Sequence, residues 1–520
     1  MAAQFVRRDI HSLAGPWADP VLWYAKGVAA LQARALDDPT SWRFLAAIHG
    51  IDGTLWRGFG ALAATDRIPT AAVQRTYWQQ CQHGSWYFLP WHRGYLAAFE
   101  AIVRAAVVAQ GGPADWALPY WNYLNLGESD LPAEFGTPDW PGAGTNPLFV
   151  PQRYGPHGDG KVTVIQELLD VNALADPDFT GVSSGGSPGF GGIDTAFSHG
   201  GAVHGRLEKQ PHDIVHVLVG GYRGQDLTAG AEVDRRRPGV MTDPDSAGLD
   251  PIFWLHHANI DRLWETWRAG PPVGADPQDA DWLTGPRDRA FAAPRPDGTQ
   301  WTYSADDVDL AALRYEYDDL SPGSAVVAPP TPADRRERLR TAAPAPARAE
   351  REDEAVASER DIELVGANST ELAVVGARVD TTVSVDPEAG ARVGASLAAA
   401  ERPDRVFLNL EDVRGLADGT ILRVYVALPA GADPADHPER RAGTVGLFGV
   451  RKASLTDEEH AGRGLTFVLE ITRIVDDLHL DESVPGTLGD RVPVTILPLR
   501  PVPADERLTI GRVSVFRQPS

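Results

Sequence analysis

At 520 residues the chain has room for two to four domains of roughly 150 residues each, and its 43% hydrophobic and 23% charged content is that of a folded globular protein. No run approaches the roughly 20 apolar residues of a membrane span, which removes a membrane-spanning reading. A net charge of -23, with 71 acidic against 48 basic side chains, argues against a general nucleic-acid binder. The one cysteine, Cys81, excludes an intrachain disulfide and a thiolate metal cluster, so any metal must rest on His, Asp or Glu.

Along the chain, Arg7 and Arg8 are followed by Asp9 rather than by an apolar segment; no cleaved export signal is expected, and the chain is read as cytoplasmic. Apolar residues at helical spacing predict helices over Trp42–His49, Leu89–Ala109, Pro211–Leu218 and Pro251–Trp267, with Pro90 suited to a first turn. Gly127–Pro151 and Gly181–Gly201 are rich in Gly, Pro and Asp and read as loops. All fifteen Trp lie between Trp17 and Trp301, whereas the last 200 residues hold five aromatics: Phe407, Tyr425, Phe448, Phe467 and Phe516. The chain is therefore two unlike pieces, 1–320 and 362–520. Between them, 321–361 is dominated by Pro, Ala and charge and reads as a protease-sensitive linker. Beyond it, short β-branched runs at Val406–Leu410, Ile421–Val426, Leu465–Ile471, Val492–Leu497 and Leu508–Phe516 predict a small all-β sandwich.

Eleven of the fourteen histidines lie at or before His257. His212 and His216 are four apart, so on a helix both imidazoles leave one face and can hold one metal, or they are a surface accident. His256 and His257 sit in a strongly apolar helix, where an unpartnered imidazole carries a desolvation cost. Asp261, one turn on, is a candidate acceptor bracing them. Upstream, His49, His83 and His92 form a second set; His83 and His92 are about half a turn out of phase, so different segments must bring them together. All-imidazole sites suit copper, zinc and iron, and spacing does not separate these metals.

His49, Cys81-x-His83, Leu89-Pro-Trp-His92-Arg-Gly-Tyr-Leu-Ala-Ala-Phe-Glu100, Leu118-Pro-Tyr-Trp121, Glu208-Lys-Gln-Pro-His212-Asp-Ile-Val-His216 and Asp250-Pro-Ile-Phe-Trp-Leu-His-His257-Ala-Asn-Ile-Asp-Arg-Leu-Trp264 together resemble the two copper-binding signatures of tyrosinases and catechol oxidases, the type-3 copper polyphenol oxidases. Asp281-Trp-Leu and Leu313-Arg-Tyr-Glu-Tyr317 resemble the connecting region of the plant-type enzymes, and the β-rich tail resembles their C-terminal shielding domain.

The resemblance implies a mainly α, helical-bundle dicopper catalytic domain set in long loops, followed by the β-sandwich. It implies two copper ions, the first held by His49, His83 and His92 and the second by His212, His216 and His257, with His256 as a neighbour. Cys81 falls where fungal-type members join cysteine to histidine, here His83, by a thioether; the other reading is an unmodified buried thiol. Glu208 takes the place of a carboxylate proposed to hold water near the coppers. Asp213 follows His212 where good monophenol hydroxylases often have Asn. There it would accept a phenol proton or repel acidic substrates, or else merely face solvent or bind an arginine. Pro244 falls where plant-type enzymes often set a bulky Phe gate, implying a more open entrance. His199 and His204 fall outside the ligand spacing, and His11, His157, His437, His460 and His479 read as ordinary surface or loop residues.

The implied reaction is oxidation of o-diphenols to o-quinones by O2, with ortho-hydroxylation of monophenols as a further activity. Implied partners are a small phenolic substrate and O2, an activating protease and a copper donor, since such enzymes stay latent until the tail is cleaved or displaced. Phe448, between glycines, is a candidate plug or a core residue of the β domain, and is read as core. The competing readings are an o-aminophenol oxidase, a hemocyanin-like oxygen-binding protein and a mononuclear hydrolase.

Overall fold

Two side-chain caps start the helices on which the site depends. The Ser41 hydroxyl accepts from the Phe44 N–H, and the Asp250 carboxylate accepts from the Ile252 N–H with Pro251 in the first turn. In the computed structural model, which describes residues 4–223, 238–271, 273–325, 362–399, 403–429, 431–456, 462–480 and 489–519, the main helices are α1 (Asp19–Gln32), α2 (Trp42–His49), α3 (Phe88–Ala109), α4 (Ile214–Gly220) and α5 (Pro251–Ala269). The expected linker lies outside the described residues from 326 to 361, as does His460.

Helix α3 packs between α1 and α5. Its Phe99 stacks on Trp254 of α5 with centroids 3.5 Å apart, and Tyr95 lies 4.7 Å from the same indole. Aromatic packing of this kind adds to the area each ring buries. A buried ion network ties the chain start to both helices: the Arg7 Nε donates to Glu100 Oε2 at 3.0 Å, its guanidinium reaches Asp261 at 3.1 Å, and Arg93 Nε donates to the other Asp261 oxygen at 2.6 Å. The stretches read as loops are mostly turns and short bridges, and α1 is a helix the periodicity did not single out.

The C-terminal part carries β1 (Glu363–Ala367), β2 (Leu372–Ala373), β3 (Val379–Val385), β4 (Arg405–Arg414), β5 (Ile421–Val426), β6 (Arg441–Gly446), β7 (Leu465–Glu470), β8 (Arg491–Pro498) and β9 (Thr509–Gln518). They join one antiparallel sheet in the order β6-β5-β8-β3-β1-β9-β4-β7, with β2 also on β9. The end strands approach each other, Gly443 of β6 packing on Leu469 of β7, so the sheet is barrel-like around its own aliphatic core. Two helices not foreseen, Pro387–Ala399 and Thr472–Leu480, accompany it; the first is Ala-rich and follows helix propensity.

The two parts are joined by paired charges and backbone bonds. Arg206 and Arg405 both bridge Asp176 (3.0 and 2.9 Å) and Glu470 (2.8 and 3.0 Å). The Thr466 N–H donates to the Ala202 carbonyl at 2.7 Å and Lys209 Nζ to the Val468 carbonyl at 2.6 Å. Burial alone would raise the two carboxyls, but the charges of Arg405 and Arg206 hold Asp176 below its ordinary range and bring Glu470 from 4.5 to about 2.

Removing one partner of a buried ion pair strands the other, so Arg7→Met should cost about 3–5 kcal/mol of stability, read as a lowered denaturation midpoint. Because Asp176 and Glu470 are depressed in the docked state, their contribution to docking is present above about pH 4.5 and is lost as the pH falls toward 2. Small-angle scattering should show expansion in that window, and Arg405→Met should move its onset to higher pH.

Candidate metal centre

Seven buried histidines converge between the helices. His49 is the last residue of α2, His92 lies in the first turns of α3, and His83 comes from the irregular segment between them. His216 is on α4, His212 on the turn leading into it, and His256 and His257 are on α5. One ligating atom from each of His49, His83 and His92 lies within 4.8 Å of the others, and the same holds for His212, His216, His256 and His257. The two groups face each other: His92 and His257 stack at 4.3 Å, and His83 lies 5.9 Å from His212.

Hydrogen bonds leave four of these rings in one tautomer. Nδ1 of His49 donates to the Pro244 carbonyl at 2.8 Å, that of His92 to the Phe88 carbonyl at 2.7 Å, that of His216 to the Met241 carbonyl at 3.0 Å and that of His212 to Asp213 Oδ1 at 2.9 Å. With Nδ1 as donor, Nε2 keeps its lone pair. The Nε2 atoms of His49, His83, His92, His212, His216, His256 and His257 are buried with no hydrogen-bond partner among the described residues, and for His257 neither ring nitrogen has one. Burial lowers the pKa of every ring of the cluster, that of His49 and of His256 to about 3. Neutral imidazoles whose lone pairs are stripped of water and aimed at one another fit a metal pair and fit little else. Both His256 and His257 offer a nitrogen to the second group; His256 Nδ1 is additionally 3.1 Å from the Tyr123 hydroxyl, whereas His257 is the one stacked on the first group.

The residues expected around the ligands are placed differently from the sequence reading in several cases. Asp261 does not brace His257: one turn along α5 its carboxylate is turned to Arg7, Arg93 and the Tyr317 hydroxyl. The bracing carboxylate is Asp213, which neither faces solvent nor binds an arginine; it is fully buried, with Oδ1 on His212 and Oδ2 on His204 Nδ1 at 2.7 Å. Both of its oxygens are engaged, and the charge of His204 offsets in part the burial that raises its pKa. Glu208 is buried beside the first group, both oxygens accepting from the Gly84 N–H at 3.0 Å. Pro244 lines the cavity at the centre's mouth, and its carbonyl fixes His49. The entrance is not open, because Phe448 fills it. Phe448 is not a core residue of the β domain: it packs with the helical core, stacked 4.2 Å from His216 and 5.7 and 5.8 Å from His212 and His83. Two glycines deliver it. A Cβ on Gly446 would stand 3.0 Å from the Asp213 carbonyl oxygen, and Gly449 turns the chain at φ +81°.

The spacing argument passed over His199, His204 and Lys452. Cys81 Sγ is 3.6 Å from His83 Nδ1 and 3.2 Å from His199 Nδ1, and Lys452 of the C-terminal part reaches His199 Nε2 at 2.7 Å and Asp245 at 2.6 Å. His204 had one sequence cue, its position four residues before Glu208. A carboxylate that orients a ligating imidazole is typically worth 10–100-fold in metal affinity. Asp213→Ala should therefore weaken metal binding by about that factor in a competitive chelator titration, with the protein still folded.

The family model described as the common central domain of tyrosinase matches residues 39–163 and 173–270, and one described as a domain of unknown function matches 361–518. The chain is 32% identical over 528 residues to tyrosinase HcTyr1 of Hahella sp. (strain CCB-MM4), covering 96% of this chain and 97% of that one. It is 32% identical over 213 residues to the chloroplastic polyphenol oxidase C of Solanum lycopersicum, 39% of this chain and 32% of that protein. Among solved structures, a recombinant latent aurone synthase (polyphenol oxidase) superposes with a TM-score of 0.59 at 19% identity, covering 100% of this chain and 90% of that one. Latent apple tyrosinase gives 0.56 at 21%, covering 99% and 98%; these two establish the shared fold. Matched from end to end by the Hahella relative and through both histidine groups by the central-domain model, the chain belongs to the tyrosinase family and is a copper polyphenol oxidase.

Proposed function

We propose that this chain oxidises o-diphenols to o-quinones with O2 at a dicopper centre held by His49, His83 and His92 and by His212, His216 and His257, and that its C-terminal domain keeps it latent. The observation that carries the reading is the Phe448 ring stacked in the mouth of a cluster of neutral, unpartnered imidazoles. A copper pair bound there would supply the two-electron exchange with O2 that diphenol oxidation requires.

The chain's own residues do the rest. Asp213 fixes the His212 ring, the Pro244, Phe88 and Met241 carbonyls fix three others, and the buried walls exclude water. Burial pushes the Glu208 carboxyl up to about 8 against the opposing charge of His204. Diphenol oxidation is favoured over monophenol hydroxylation because Asp213, the expected acceptor of the extra proton, is already committed to two imidazoles. A Cys81–His83 thioether belongs to the same proposal, supported by the 3.6 Å approach of sulfur to the ring. The thiol hydrogen and one ring C–H hydrogen would both be lost as a sulfur–carbon bond forms, the two electrons and two protons passing to O2 to give hydrogen peroxide, and an intact mass two hydrogens below the sequence value tests it.

Burying a Phe ring is worth about 1.5–3 kcal/mol, which shifts a closed-to-open equilibrium by roughly tenfold to a hundredfold. Phe448→Ala, or a cut between residues 326 and 361, should raise catechol turnover by that factor in protein carrying two copper ions per chain. Unchanged turnover in either would remove the latency reading, and an absence of copper-dependent quinone formation would remove the oxidase reading.

A further inference from the structure

Two side chains from one short stretch of the C-terminal part, Phe448 and Lys452, line the same cavity at the mouth of the metal centre, together with His83, His199 and Pro244 of the catalytic part. The Phe448 ring lies against His83, His212 and His216. Lys452 is buried, and its Nζ donates to Asp245 Oδ1 at 2.6 Å and to His199 Nε2 at 2.7 Å. An ammonium has only donors, so the catalytic part meets it with a carboxylate and an imidazole nitrogen. The neighbouring Arg451 donates from Nε to Asp243 Oδ2 at 3.2 Å. Among the described residues, the cations that meet Asp243 and Asp245 both come from the C-terminal part. The other titratable side chains of the cavity lining are the imidazoles of His83, His199 and His204.

Asp245 belongs to the catalytic part and is held there by its own surroundings. Its Oδ1 would stand 2.6 Å from a Cβ on Gly50, the residue after His49, and the Trp56 indole N–H donates to its carbonyl at 2.6 Å. The carboxylate therefore stays beside the first histidine group when the C-terminal part leaves, whereas Phe448 and Lys452 leave together. A buried carboxylate deprived of its cation is costly, and the vacated place suits another cation that brings its own N–H donors. A ring slot and an ammonium slot emptied at once describe one kind of molecule, an aromatic ring with an ammonium on a flexible arm.

We propose that Asp245, with His199, forms an ammonium subsite beside the metal centre, and that the substrate class of this enzyme is catechols carrying a cationic alkylamine arm. The proposal rests on the phenol-oxidase reading above and names the substrate class of that same site. Residues 448–452 are then a tethered copy of the substrate, ring and ammonium on one piece of chain. Charge-assisted hydrogen bonds of this kind change affinity by about tenfold or more. An arm ending in a carboxylate would instead face Asp243 and Asp245, so acidic catechols are disfavoured against neutral ones.

The test uses the copper-loaded full chain carrying Phe448→Ala, with Lys452 either kept or changed by Lys452→Ala. The probes are catechols with an alkylammonium arm of two to four carbons opposite one hydroxyl, each compared with the catechol bearing the same alkyl arm without the ammonium. The quantity read is the ratio of their kcat/KM values, because a general fold defect lowers both alike. With Lys452 in place the subsite is filled, and the ratio should be about one or lower. Lys452→Ala should raise it about tenfold for the arm that spans the two slots, through KM rather than kcat, and adding Asp245→Asn should cancel the rise. The full chain with Phe448 and Lys452 intact, folded first and then cut between residues 326 and 361, supplies the same comparison without a substitution at residue 452. A rise in either protein that Asp245→Asn cancels supports the subsite. A ratio that rises in neither, or a rise that survives Asp245→Asn, would overturn the subsite and leave the oxidase reading standing. Absence of quinone from the alkylcatechols would overturn the oxidase reading and the subsite with it.

Discussion

Seven buried imidazoles, carrying between them eight nitrogens with no hydrogen-bond partner among the described residues, set the terms for the rest of the molecule. Each is costly to desolvate, and seven together persist only because the surrounding chain over-determines their positions. The means are acceptors on the far side of the rings. Three are backbone carbonyls, and two of these, from Met241 and Pro244, come from one short irregular segment ahead of α5. That segment is shaped by its own carboxylates: Asp243 caps the turn at Pro244, and Asp250 caps α5 while bound to Arg153. Short turns outside the main helices thus supply two of the three orienting carbonyls, and the first residue of α3, Phe88, supplies the third.

The same economy of contacts explains how the C-terminal domain is held. Its sheet buries its own aliphatic core, so docking depends on what projects from the edge. Phe448 enters the centre, and its near neighbours Arg451 and Lys452 pair with Asp243 and Asp245 on the segment that fixes His49. One short helical turn, Val450–Ala453, therefore reaches both the metal centre and the loop orienting it. On the opposite flank the Asp176, Arg206, Arg405 and Glu470 square carries paired charge into low-dielectric surroundings, where alignment matters more than net attraction. Charges set the register and the aromatic ring fills the space.

What was legible in the sequence followed from local rules. Helices α2, α3 and α5 show 3.6-residue periodicity, and the strands show β-branched runs bounded by turns. The two histidine groups were legible because their spacing and neighbours repeat a known pattern. Asp261 was misread because i to i+4 proximity to His257 says nothing about competitors, and two buried arginines captured its carboxylate. Phe448 was misread because a ring flanked by glycines in a β-rich segment looks like sandwich core; only the close approach of Gly446 to Asp213 reveals that the segment leaves its own domain. His199 and His204 were set aside on spacing, a rule that finds ligands and is blind to groups acting through a carboxylate or a thiol.

Asp213 draws these threads to one atom pair. A neutral amide there could orient His212 but could not hold a second imidazole in its charged form. The carboxylate does both, one oxygen to each ring. Full burial raises the Asp213 pKa, and His204, lying 2.7 Å away, offsets part of that cost. The pair is close to neutral as seen from the metal centre, so the second histidine group gains a fixed ligand without a net negative charge beside it. Carboxylate and imidazolium are therefore one unit, and the identity of the residue after His212 has meaning only together with the histidine nine positions before it.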